Sequence, residues 1–259
     1  MIQYGFIYLG VVPVRKEPKS SSEQISQLLF GDVAEILDYH VGTNRFSDSW
    51  LKIRNLYDNY EGWIDKRNIL LSFATKNTQH QYIVSSPIAK IKMDDDVIIV
   101  PMSSVLPDKQ PFFIDNHRFS LIEGSVIPLD KCNPLLINAV SLLYLNCPYQ
   151  WGGKSILGID CSGFTQNVFK FAGIKLPRDA SQQANVGQDN CFENIKNGDL
   201  CFFDNKDNKI THVGIYLGQN KIIHCSGRVR IDDIDATGIK IKGDNQEYSH
   251  RLCKIKTYF

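Results

Sequence analysis

Short, evenly spaced strand text fills the first half of the chain. Over residues 1–72 the apolar or alternating runs are Val11 to Arg15, Ser26 to Leu29, Val33 to Leu37, Trp50 to Arg54 and Gly62 to Ile64, each closed by polar or glycine turns. Runs this short and regular predict the strands of a small β-barrel. The opening stretch, Met1 to Val12, has no basic segment and is broken by Gln3, Tyr4 and Gly5, so it reads as a strand rather than a secretion signal. Residues 73–128 have the same texture, with strands expected at Gln81 to Val84, Ala89 to Met93, Val97 to Pro101, Phe112 to Ile114 and Arg118 to Ile122. The run Asp94-Asp95-Asp96 predicts a solvated turn, because no spaced acidic or glycine pattern follows it to hold a cation.

From about residue 129 the period changes. Pro134 to Asn146 has helical spacing, with Leu136, Val140, Leu143 and Tyr144 as its apolar stripe. A proline near the start costs nothing there, since the first helical N–H groups lack partners anyway. A second helix is expected from Cys161 to Ala172, with Asp160 as N-cap, Phe164, Val168 and Phe171 facing a core, and Gly173 as terminator. Strand runs follow at Leu200 to Phe203, His212 to Leu217, Lys221 to Cys225 and Leu252 to Thr257. Helices first and an antiparallel sheet afterwards predict an α+β domain over residues 129–259, behind all-β segments at 1–72 and 73–128.

Composition removes several function classes. The 259 residues are 43% hydrophobic and 22% charged, as in a chain that buries an ordinary core. Basic and acidic residues number 29 and 28, a net charge of +1, so nothing draws the chain to nucleic acid or to a membrane. No apolar run reaches the roughly 18 residues needed to span a bilayer. Seven cysteines (132, 147, 161, 191, 201, 225 and 253) are scattered and contain no CxxC pair, which speaks against a disulfide framework or a zinc site. A reducing compartment is the simplest account, so a cytoplasmic location is the expectation, or a periplasmic or secreted one if a leader has been removed. A monomer is expected, with no metal or organic cofactor.

One constellation carries chemistry. Cys161 opens a helix, where unpaired N–H groups and the positive dipole end favour a thiolate. His212 and His224 lie on either side of a turn at Gly218-Gln219-Asn220. If that loop holds three residues, Gly214 lies opposite His224 and both imidazoles project from one sheet face. A slip of one residue would separate them. In the favourable register His212 is the base and His224 orients it, while the Cys161 amide offers an oxyanion donor. Taken singly, each of the three also fits a core or surface role, and His40, His80, His117 and His250 read as ordinary structural residues.

The surrounding text resembles a known family. Pro148-Tyr149-Gln150-Trp151-Gly152-Gly153, Gly158-Ile159-Asp160-Cys161-Ser162-Gly163, Leu176-Pro177-Arg178-Asp179, Asn197 to Phe203, His212 to Tyr216 and Ile223-His224 are similar, in order, to the signature of NlpC-type papain-like cell-wall cysteine peptidases. The resemblance implies a Cys161/His212/His224 triad acting on an amide bond of peptidoglycan stem peptides. It further implies that Tyr149 and Trp151 shape the substrate side, and that Asp160 and Ser162 face a D-glutamyl portion.

Val14 to Gly31, Trp50 to Arg54 and Tyr57 to Trp63 resemble a bacterial SH3-like domain. They are most similar to the first such domain of γ-D-glutamyl-L-diamino acid endopeptidases, in which two SH3-like barrels precede the peptidase. That likeness implies that Glu23 and Tyr60 hold the free amine of an N-terminal L-alanine, with Asp179 bordering the same pocket. The family often carries serine directly after that aspartate, whereas this chain has Ala180 and then Ser181. The implied partner is a peptide of the form L-Ala-γ-D-Glu-diamino acid.

Overall fold

The computed structural model describes residues 3–42, 49–72, 79–241 and 244–259, with only the backbone at 244–246. Met1 and Ile2 of the expected opening strand, and the border at residue 73, lie outside the described residues. The chain divides into two compact units: Met1–Cys132 with Lys154–Ile156, and Asn133–Gly153 with Leu157–Phe259.

The first unit is built from strands. They are β1 Gln3–Phe6, β2 Val11–Arg15, β3 Gln24–Leu29, β4 Val33–Val41, β5 Ser49–Asn55, β6 Glu61–Asp65 and β7 Leu70–Leu71. These form one antiparallel sheet in the order β3-β2-β6-β5-β4-β1-β7. Period-two alternation puts Val12, Val14, Leu28, Ile36, Ile53 and Ile64 into a common core. There follow β8 Tyr82–Val84, β9 Ile88–Met93, β10 Asp96–Pro101, β11 Val105–Leu106, β12 Phe112–Ile114, β13 His117–Glu123 and β14 Val126–Pro128. They pair as β10-β9-β13-β12 and β11-β8-β14. A short β15, Lys154–Ser155, also belongs to this unit.

The two all-β segments share a core. Phe6 and Phe30 from the first pack with Ile91, Val100 and Phe119 from the second, and Phe119 stacks on Phe112 at 5.3 Å. Fully burying each such side chain stabilises the fold by roughly 1.5–3 kcal/mol, which is why the segments cohere as one unit. The acidic run is the turn that the sequence predicts: Asp94 has φ 51°, and its carboxylate accepts from the Arg118 amide at 2.9 Å.

The second unit contains α1 Leu136–Leu143, β16 Gly158–Ile159, α2 Cys161–Lys170, α3 Ala180–Gln183 and β17 Gln188–Asn190. It continues with β18 Leu200–Asp204, β19 Ile210–Gly218, β20 Lys221–Ser226, β21 Arg228–Asp233, β22 Gly238–Ile241 and β23 Asp244–Thr257. The antiparallel sheet runs β17-β23-β18-β19-β20-β21, with β22 paired to β23. Helix α2 packs on β19 and β20, and α3 packs on β19. Cys201, Phe203, Tyr216, Ile222, Ile234 and Ile239 form a buried cluster, with Phe192, Ile195 and Leu252 packed against it. Among the described residues no helix is long and apolar enough to cross a membrane.

Two helical expectations need correction. The first helix is shorter than the expected 134–146, and its buried face is Ile137, Val140 and Ser141, with Tyr144 buried just beyond its end; Leu143 is exposed. The apolar residues are so dense here that two faces look equally suited to a core, and tertiary contacts choose between them. The second helix ends at Lys170, ahead of Gly173 with its φ of 74°, and Phe164, Val168 and Phe171 are buried as expected.

Candidate active site

Asp160 starts α2 by accepting from the Gly163 amide at 2.7 Å, and so fixes where Cys161 sits. The Cys161 thiol lies against the backbone on either side of His212, donating to the Thr211 carbonyl at 4.0 Å and accepting from the Val213 amide. His212 in turn meets His224, Nε2 to Nδ1, at 2.8 Å.

The hairpin that brings the imidazoles together departs from the expected one in its turn and agrees in its consequence. The loop proper is two residues, Gln219 and Asn220, both at positive φ (52° and 55°), the conformation of a primed hairpin turn. A bulge between Tyr216 and Gly218 then restores the register, so that Gly214 is paired with His224. A Cβ on Gly214 would stand 2.8 Å from the His224 Cβ, so glycine is what leaves room for the imidazole.

Three neighbours escaped the sequence reading. Asp232 Oδ2 accepts from His224 Nε2 at 2.9 Å and from Arg230 Nε at 2.7 Å. His250 stacks on His212, with centroids 4.4 Å apart. Arg178, fully buried, donates to both Asp160 carboxylate oxygens (3.0 and 2.6 Å) and to Ser162 Oγ (2.9 Å). A signal for Asp232 was present, since Arg228-Val-Arg-Ile-Asp-Asp alternates charged and apolar residues as a half-buried strand does.

Electrostatics correct one expectation. Burial pushes the Cys161 thiol up, to about 12, and the Asp160 charge adds to this; the Val213 and Ser162 amides and Arg178 pull the other way without prevailing. Burial, His224, His250 and Arg230 hold His212 well below the usual histidine range. The helix start therefore does not produce a standing thiolate, because desolvation at a residue 7% exposed outweighs the dipole. The resting pair is a neutral thiol and a neutral imidazole. Such a pair reacts when the base takes the proton as sulfur attacks.

The remaining expected residues fall into two groups. Asp160 and Ser162 are buried beside Cys161, and the Asp160 carboxylate is taken up by Arg178, Gly163 and the Gly152 amide (2.9 Å). Tyr149 is 37% exposed; burial, and next the nearby thiol, raise its hydroxyl above the usual tyrosine range. Trp151 is 61% exposed. Asp179 caps α3 in a capping box with Gln182, and Ser181 is exposed on the same short helix.

In the other unit, Glu23 and Tyr60 immediately precede β3 and β6, which flank β2 and run in the same direction. Glu23 pairs with Lys16 at 3.6 Å. The Tyr60 amide donates to Asp58 Oδ1 at 3.1 Å.

The NlpC/P60 family profile matches residues 146–243, and the bacterial SH3 domain profile matches residues 10–69. A γ-D-glutamyl-L-lysine dipeptidyl-peptidase of Bacillus subtilis is 32% identical over 178 residues, which are 64% of this chain and 60% of that protein's length. Dipeptidyl-peptidase 6 of Lysinibacillus sphaericus is 23% identical over 249 residues, 85% of this chain and 87% of that protein. An NlpC/P60 family protein from Bacillus cereus superposes with a TM-score of 0.79 at 20% identity, covering 98% of this chain and 99% of its own. Residues 146–243 are thus an NlpC/P60 family domain of α+β, papain-like fold, and residues 10–69 before it are a bacterial SH3 domain.

Proposed function

We propose that this chain is a cysteine peptidase that hydrolyses the bond between γ-D-Glu and the diamino acid in peptidoglycan stem peptides bearing a free N-terminal L-Ala. The products are L-Ala-D-Glu and the rest of the stem. The observation that carries the reading is the contact of His212 Nε2 with His224 Nδ1 at 2.8 Å, beside a thiol at the start of α2. With Nε2 so engaged, the other ring nitrogen of His212 is the one left to serve Cys161.

The chemistry follows from that arrangement. Cys161 sulfur attacks the γ-carbonyl while its proton passes to His212 Nδ1. The imidazolium then gives the proton to the leaving amine of the diamino acid. Water, deprotonated by His212, releases the dipeptide and restores the thiol. Tyr149 and Trp151 border the acyl side, and Asp160 and Ser162, held by Arg178, line the glutamyl subsite.

Selection of the free amine is assigned to Glu23, Tyr60 and Asp179. A carboxylate and a phenol oxygen accept from an ammonium group, and an acylated end no longer offers that charge, at a cost in binding. The relatives named dipeptidyl-peptidase support this specificity. The proposed setting is turnover of freed wall fragments in the cytoplasm, by a monomer.

The test compares kcat/KM on L-Ala-γ-D-Glu-L-Lys with that on its N-acetylated form, for the unmutated protein and for Glu23→Gln. The free peptide is preferred at least about a hundredfold, and Glu23→Gln narrows the gap. Equal rates on the two peptides would point instead to an endopeptidase acting on intact wall.

A further inference from the structure

We infer that Asp232 is a positioning residue of this site: through His224 its carboxylate fixes the nitrogen on which His212 keeps its lone pair. The inference rests on the reading above, in which His212 takes the Cys161 proton.

The argument is one of donors and acceptors. A carboxylate only accepts, so the 2.9 Å contact with Asp232 puts a proton on His224 Nε2. Neutral His224 then carries its lone pair on Nδ1. The 2.8 Å contact with His212 Nε2 therefore needs a proton on that nitrogen of His212. Its Nδ1 is left bare to receive the thiol proton. When the proton arrives, every hydrogen bond in the chain keeps its direction, so the imidazolium forms without reorganisation.

With Asp232 gone, His224 can hold its proton on Nδ1 and donate it to His212 Nε2. The His212 proton then moves to Nδ1 and blocks the base. A wrong tautomer of this kind is the reason the buried aspartate matters in serine-protease triads.

The surroundings support the assignment. In the β20–β21 pairing His224 is opposite Arg230 and Ile222 is opposite Asp232, so Arg230 and Asp232 share the face of His224. Arg230 Nε donates to the same oxygen at 2.7 Å and steadies it. Arg230, Asp232, Arg228 and Ser249 line a cleft of about 440 Å3, so the chain of contacts ends at solvent. Burial works to raise the Asp232 carboxyl, but His224 and Arg230 outweigh it and hold the group below the ordinary carboxylate range. Among the described residues, the charged and titratable groups against the two imidazoles are Arg230 and Asp232 on β21 and His250 on β23, while the Cys161 thiol on α2 lies at the backbone beside His212.

The experiment reads the relay without a peptide substrate. Ring 15N signals of His212 report its tautomer. Mass spectrometry of the Cys161 peptide reports the rate of alkylation by iodoacetamide at pH 7. In Asp232→Ala, His212 moves toward the Nδ1–H tautomer, and alkylation slows about ten- to hundredfold. Asp232→Asn keeps the shape, but its amide N–H can face His224 Nε2, the exchange that gives the wrong tautomer in a serine-protease triad, so it shifts His212 in the same direction. It loses the charge that favours the imidazolium, and slows alkylation about threefold or more.

An unchanged His212 tautomer in Asp232→Ala, with alkylation within about twofold of the unmutated rate, would overturn the inference. Should Asp232→Ala not fold, unaltered alkylation in Asp232→Asn overturns it equally. If alkylation falls as expected while the unmutated protein cuts no stem peptide, the relay stands and the substrate reading falls.

Discussion

His250 lies nearly flat against His212, their ring centroids 4.4 Å apart and their planes inclined by 29°. His250 itself meets Phe203 edge to face at 5.8 Å. Burial above all, with the Arg230 charge adding to it, lowers the His250 imidazole to about 4, so it is a neutral cover at working pH. Replacing it by alanine admits water beside His212 and weakens the base's orientation, whereas phenylalanine keeps the stack. His250→Ala is expected to lose about tenfold in kcat/KM, with His250→Phe close to the unmutated enzyme; steady-state kinetics of the two variants decide.

The pH dependence follows from two directions. Protonation charges His212, and burial penalises that charge, so its value lies well below 6.5 and the free base persists into mildly acidic solution. Ionisation charges Cys161, and burial penalises that too, so the thiol stays protonated through the neutral range. The acid limb of kcat/KM should thus lie below pH 6.5. The rate of Cys161 alkylation should keep climbing beyond pH 9. A plateau of alkylation with a midpoint below pH 7 would mean a standing thiolate–imidazolium pair, contrary to this account.

Gly214→Ala tests the hairpin register. The added methyl would meet His224 Cβ at 2.8 Å and Ile222 Cδ1 at 2.7 Å, so His224 must move. Overpacking of this kind costs about 1–3 kcal/mol of stability. Here it should also reduce kcat at least about tenfold by spoiling the 2.8 Å imidazole contact, measurable by kinetics beside a denaturant titration. Unchanged kcat would mean that the contact is dispensable.

Arg178 holds the start of α2, which carries Cys161. Its guanidinium is 1% exposed and is bidentate to Asp160, the residue that caps α2. Removing one partner of a buried pair strands the other charge and typically costs about 3–5 kcal/mol. Arg178→Met should therefore lower stability by about that amount, as read from urea unfolding, and Arg178→Lys should recover only part of it because the fork geometry is lost.

The sequence displayed this architecture unevenly, for physical reasons. Short apolar runs closed by turns, such as Val11 to Arg15 and Phe112 to Ile114, stand where the pattern puts them. Asp160 as N-cap and Gly173 as terminator declared the second helix through cap chemistry. The bulge at Tyr216–Gly218 was invisible, because two different turns give the same pairing of Gly214 with His224. The shared core of Phe6, Phe30 and Phe119 is a long-range choice that no local period encodes. His250 lies 38 residues after His212 in sequence and meets it only through strand β23, so local spacing could not join them.

The central claim is that Cys161 cuts one particular bond in a peptide with a free amino end. The direct measurement is mass spectrometry of the products from L-Ala-γ-D-Glu-L-Lys and its diaminopimelate counterpart, with the unmutated protein and with Cys161→Ala. The account predicts L-Ala-D-Glu and the free diamino acid from the unmutated protein alone. Scission between L-Ala and D-Glu, or equal product from Cys161→Ala, would contradict it.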